Sequence, residues 1–168
     1  VFFHVLSHIG IYVFFSLYLD EAGYSRTMIG MLWAVSVAAE IVWFFTQSRW
    51  LPKFSLSMWM LICASAMVLR MALTTWAVEW LWALLFAQVL HALTFATQHT
   101  ACIALLSHHF PGRLRGRGQA LYASIGYGMP GILGALGGGV LSEAWGLSSV
   151  YAVSMGTSVL ACVCAWQC

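Results

Sequence analysis

Charge is what this sequence has least of. Its 168 residues include seven Lys or Arg and five Asp or Glu, 7% of the chain, for a net charge of +2. A soluble domain of this length carries about 25% charged residues, which it turns toward water. Here that supply is missing, 62% of residues are hydrophobic, and the mean hydropathy is +0.87. A water-soluble globule is therefore excluded. The few basic residues are scattered and leave no footprint for a nucleic acid. The five cysteines, Cys63, Cys102, Cys162, Cys164 and Cys168, lie in apolar stretches. They form neither a disulfide framework nor a paired C-x-x-C zinc site, and read as small packing residues. The run GQALYASIGYGMPG lacks the Gly-Lys-Ser/Thr that would complete a phosphate loop. The expectation is no cofactor, no metal and no catalytic residue.

The residues that are present come in apolar blocks of about twenty, enough to cross ~30 Å of hydrocarbon. Six spans are expected, at about 1–19, 28–46, 56–76, 80–107, 119–141 and 147–166. Each should be a helix, the one spanning segment that satisfies its own backbone in lipid. The fold class is an all-α membrane protein, a six-helix bundle. The loops after the second and fourth spans hold Arg49, Lys53, Arg113, Arg115 and Arg117. The other three loops hold Arg26 with Asp20, Glu21, Glu79 and Glu143. The positive-inside rule then puts the basic loops and both chain ends in the cytoplasm. Trp50, Trp59, Trp76, Trp80, Trp82, Trp145 and Trp166 fall near span ends, as in an aromatic belt. In the fifth span, Gly134 and Gly138 make a G-x-x-x-G pair, suited to close helix packing or to a helix that bends. The chain opens on Val1 in an apolar run and stops in another at Trp166-Gln167-Cys168, so an internal piece of a longer product is expected.

Ionisable groups deep in a span are costly and mark functional sites by default. The candidates are His4, His8, Glu40, Arg70 and His91, with Gln88, Gln98 and His99 as polar companions. At ~1.5 Å per residue, Glu40 lies roughly 18 Å below the outer end of its span and His91 roughly 16 Å. Arg70 lies roughly 9 Å down, and its long stem covers much of the difference. An acid, a base and an imidazole are thus placed to meet near mid-membrane. Helical periodicity gives each span a polar face: His4, Ser7, His8 and Tyr12; Trp33, Ser36 and Glu40; Gln88, His91, Phe95, Gln98 and His99. Such stripes face a bundle interior or a water-filled cavity. A Glu in that setting carries protons, and a movable Arg changes its proton affinity. The plainer reading is a buried Glu40–Arg70 pair that sets helix register.

These residues, in order, resemble a known family across nearly the whole chain. The pattern begins with His4, His8 and Tyr12, and continues through Tyr18-Leu19, Gly23-Tyr24-Ser25 and Ile29-Gly30-Met31-Leu32-Trp33. It goes on with Val37 to Glu40, Leu69-Arg70, Gln88 to Phe95 and the Gln119 to Ser124 run. The set resembles the C-terminal six-helix half of a major facilitator superfamily transporter. Within that superfamily it is similar to the phenylpropionate-permease-like branch, near the nucleoside and lactose proton symporters. The resemblance implies that the chain, 1–168, is helices seven to twelve and that an N-terminal half is missing. It implies a multi-pass protein of the cell inner (plasma) membrane that symports protons with a small organic solute by alternating access. Glu40, Arg70 and His91 then match the Glu, Arg and His that serve substrate and protons in lactose-permease-like relatives. Those relatives carry a carboxylate three residues after the His, where this chain has Thr94. The branch implies an aromatic carboxylate, paired with Arg70 while Tyr12, Trp33 or Phe95 lines the ring site. Two other classes stay open. One is a non-transporting six-span scaffold or a half-transporter working as a dimer. The other is a membrane metalloenzyme, suggested by six histidines and the His4-x₃-His8 pair.

Overall fold

The computed structural model describes residues 1–167; Cys168 lies outside the described residues. Among the described residues, six helices long and apolar enough to cross a membrane follow one another. They are α1 (Phe2–Glu21), α2 (Arg26–Thr46), α3 (Leu56–Trp76), α4 (Leu81–His109), α5 (Gly112–Trp145) and α6 (Leu147–Trp166). No strand occurs among the described residues. Two of the starts are written in the sequence. Ser25 Oγ accepts from the Met28 amide at 3.3 Å and Ser55 Oγ from the Met58 amide at 3.2 Å, N-caps worth about 1 kcal/mol each. Between α5 and α6 the single residue Gly146 turns the chain at φ 81°, a conformation that side-chain-bearing residues avoid.

The expected spans match these helices with two differences. Helix α5 begins several residues before the expected start, because Gly112–Leu114 forms a 3₁₀ turn that runs into a helix at Arg115. The basic loop is thereby mostly helix end. Helices α4 and α5 also each contain a π-helical stretch, Ala92–Thr97 and Tyr122–Gly128. In α5 the cause is local. Pro130 has no amide to give to the preceding turn, and the helix widens just before it. In α4 the Thr97 hydroxyl donates to Ala92 O at 3.0 Å, five residues back. Among the tryptophans, Trp76, Trp80, Trp82, Trp145 and Trp166 are exposed at helix ends, as a belt requires. Trp59 instead is buried and donates to Leu51 O at 3.0 Å, tying α3 to the loop before it.

Helix α6 packs on α3 and α1, α5 packs on α1, and α2 packs on α4. An apolar cluster of Phe14, Phe15, Leu19, Leu32, Met67 and Tyr151 joins α1, α2, α3 and α6 toward the end that carries the acidic loops. The G-x-x-x-G pair sets how close α5 comes to α1. A Cβ on Gly134 would meet Ile9 Cβ at 2.8 Å, and one on Gly138 would meet the Phe14 ring. Gly10 on α1 comes equally close to α6, where a Cβ would lie 2.6 Å from Ser154 Oγ. Gly131, Gly137 and Gly139 face open space. Gly138→Val is therefore expected to force α1 and α5 apart and to cost about 1–3 kcal/mol. Gly139→Ala is expected to be neutral. Thermal unfolding of the full-length protein in detergent measures both.

Candidate functional site

Arg70 lies at the centre of the polar cluster and is wholly buried, at 0% exposure. A charge there must spend every donor it can. Nη2 donates to Gln88 Oε1 at 3.0 Å. Nη1 faces Thr94 Oγ1 at 3.1 Å, His91 Nδ1 at 3.1 Å and His8 Nε2 at 3.3 Å. All four acceptors are neutral groups, and Nε has no partner among the described residues.

This geometry assigns the histidine tautomers. A guanidinium only donates, and with Thr94 Oγ1 and His91 Nδ1 as the two nearest partners of Nη1, His91 Nδ1 offers its lone pair. The proton of neutral His91 is then on Nε2, the nitrogen that lies 3.4 Å from Glu40 Oε2. His4 Nε2 lies 2.7 Å from the carbonyl of Thr94, an acceptor, so His4 carries its proton there. That carbonyl is available because of the π stretch. The Gln98 amide bonds to Leu93 O and Phe95 O and bypasses Thr94 O.

The expected meeting of acid, base and imidazole thus takes place, in a different order. His91 stands between Glu40 and Arg70, and the direct Glu40–Arg70 pair is not formed. The cluster is layered. Arg70 is innermost, and His8 and His91, both nearly buried, lie over it. Outermost are Glu40, with a 20% exposed side chain, Tyr12 at 45%, and the half-buried Trp33 and Phe95. The rings are ordered. His8 stacks on Tyr12 at 4.7 Å, Tyr12 lies parallel to Trp33 at 6.4 Å, and His91 stacks on Phe95 at 5.3 Å. Trp33 Nε1 donates to Ser16 Oγ at 3.0 Å, which holds the indole in this row.

The other sequence candidates divide. Gln88 joins the cluster as an Arg70 acceptor. Gln98 turns away and donates to Cys102 Sγ at 3.2 Å. His99 is set against Tyr122 on α5, its Nδ1 3.2 Å from the hydroxyl. Thr94, read from sequence only as a missing carboxylate, is a working member, because its hydroxyl serves Arg70 and its carbonyl serves His4. Its position three residues after His91 was the available signal. Tyr127, which lies against Tyr122, drew no notice in the sequence. Among the described residues no three His, Cys, Asp or Glu side chains converge to hold a metal ion.

The polar cluster, flanked by an aromatic face, thus lies inside a bundle of apolar helices. The chain is a member of the MFS_1 like family, whose model matches residues 1–153. It is also 31% identical over 124 residues to the probable 3-phenylpropionic acid transporter of Escherichia coli (strain K12). That match covers 73% of this chain and 32% of the relative, so the chain spans about a third of the relative's length. No solved structure matches the chain. The family and the six apolar helices make this a multi-pass membrane protein.

Two measurements test the cluster. In ¹⁵N spectra, His91 is expected to show the neutral form protonated at Nε2, with Nδ1 unprotonated. Arg70→Leu removes the donors shared among four buried acceptors, and each acceptor left without a partner costs about 1–3 kcal/mol. Its unfolding midpoint in detergent is expected to fall well below that of Glu40→Gln, since Glu40 is partly exposed.

Proposed function

We propose that this chain is the C-terminal half of a proton symporter for an aromatic carboxylate. In this reading α1–α6 are helices seven to twelve, and an N-terminal six-helix half supplies the facing wall. The solute binds between the halves near mid-bilayer, and the halves rock to open it to either side. The basic loops with Arg49, Lys53, Arg113, Arg115 and Arg117 face the cytoplasm, and the protein resides in the cell inner (plasma) membrane. The partners are the solute, protons, the bilayer and the other half.

One observation carries the reading. Glu40 and Arg70 are the two ends of a relay through His91, with contacts of 3.4 Å and 3.1 Å. With Glu40 ionised, the carboxylate balances the guanidinium and the cluster is neutral overall. Once Glu40 takes a proton, the Arg70 charge has no counterion and the site attracts an anion. Proton and carboxylate therefore bind together, which is the condition for symport. Arg70 acts from behind its imidazole screen, through charge and by orienting His91. The solute meets Glu40, His91 and the rings of Tyr12, Trp33 and Phe95. Those rings accept an aromatic body, in keeping with the Escherichia coli relative, a probable 3-phenylpropionic acid transporter. With Thr94 neutral, the carboxylate of this chain that takes the proton is Glu40.

Uptake of 3-phenylpropionate into cells expressing the full-length protein provides the test. Glu40→Gln is expected to abolish accumulation against a gradient while leaving one-for-one exchange across the membrane within a few-fold of wild type. Uphill accumulation that survives the substitution would sink the proton role of Glu40.

A further inference from the structure

We propose that His99, Tyr122 and Tyr127 form a second binding station for the aromatic carboxylate, on the cytoplasmic side of the Glu40–His91 site. The proposal rests on the transport reading above and adds a place where the solute pauses.

The ring row of the first site does not stop at Phe95. Phe95 and His91 are parallel at 5.3 Å, with 4° between their planes. Phe95 and His99 continue the row at 6.2 Å and 17°. His99 then meets Tyr122 at 6.0 Å and Tyr127 at 6.4 Å, and the two tyrosine rings lie edge to face at 5.1 Å. His99 is eight residues beyond His91, so the cluster lies roughly 12 Å nearer the basic end. All three side chains are half-buried, as Phe95 and Trp33 are, so their faces are not closed off within the bundle.

Backbone geometry builds this cluster. Residues five apart in an α-helix point about 140° away from each other. Tyr122 and Tyr127 are five apart, yet their hydroxyls are 3.2 Å apart, because the Tyr122–Gly128 segment is π-helical. Such single-turn insertions concentrate at functional sites. The bonding also leaves one donor over. Tyr122 donates to the Tyr127 oxygen, and His99 Nδ1 at 3.2 Å is then the donor to Tyr122. The chain of bonds ends on the Tyr127 proton, for which no acceptor is present among the described residues. A carboxylate is such an acceptor, and its aromatic ring has Phe95 and the tyrosines to lie against. The station has no guanidinium behind it, so it holds the anion less tightly than the first site and lets it leave.

The test is sidedness. The KM for 3-phenylpropionate is measured on right-side-out and inside-out membrane vesicles containing the full-length protein. Tyr127→Phe keeps the ring and removes the free donor. It is expected to raise the cytoplasmic-side KM about tenfold, the loss of one hydrogen bond to a charged group, with the outer-side KM within twofold. Tyr122→Phe breaks the bond that orients Tyr127 and is expected to shift the same side by less. A purely structural role would move both sides, or maximal rate alone. Either result, or no change, overturns the second station and leaves the first site standing. Wild-type vesicles that carry no 3-phenylpropionate would overturn the transport reading and this proposal together.

Discussion

A guanidinium with no carboxylate against it organises this bundle. Burying Arg70 in a membrane interior is tolerable only if its donors are used, and the four acceptors around Nη1 and Nη2 tie together three helices: α1 through His8, α3 through Arg70 itself, and α4 through Gln88, His91 and Thr94. Because Arg70 donates and cannot accept, it dictates the protonation pattern of its neighbours. Glu40 on α2 lies 3.4 Å from His91 Nε2, on the side of that ring away from Arg70. One charge thereby holds four helices in register and gives a distant carboxylate its partner.

The backbone is adjusted to serve that cluster. The π stretch of α4 diverts the Gln98 amide, and Thr94 O is taken by His4. The π stretch of α5, ahead of Pro130, brings two tyrosines to one face. Around these irregular turns the packing is tight and apolar. Gly134 and Gly138 let α5 lie against Ile9 and Phe14 of α1, and Gly10 lets α6 approach from the other side. Small residues supply close contact where lipid gives no hydrophobic drive for helices to associate. The polar cluster is then held between helices whose spacing is already set.

The layering bears on coupling. A substrate-binding Arg on an open face would be screened by water and by any passing anion. Arg70 lies behind His8 and His91, so its charge reaches the open face through a medium of low dielectric. In the proposed cycle, the state of Glu40 decides whether that charge is balanced. The neutral hydroxyl of Thr94 binds the guanidinium without cancelling it.

Much of this was legible in the sequence. Scarcity of charge excluded a soluble fold, block length set the number of spans, and cost in lipid picked out Glu40, Arg70, His91 and His8 one by one. Those are properties of composition and of position along a helix axis, and depth alone was enough to predict that acid, base and imidazole meet. The order of contact was not legible. That His91 stands between Glu40 and Arg70, that Gln98 turns to Cys102, and that Tyr127 joins Tyr122 all depend on rotation about the helix axis. A uniform 100° per residue misplaces everything beyond a π turn, and such a turn depends on which carbonyl finds another partner across the bundle. The sequence determined which polar groups would be buried and how deep; only the tertiary structure decided which of them touch.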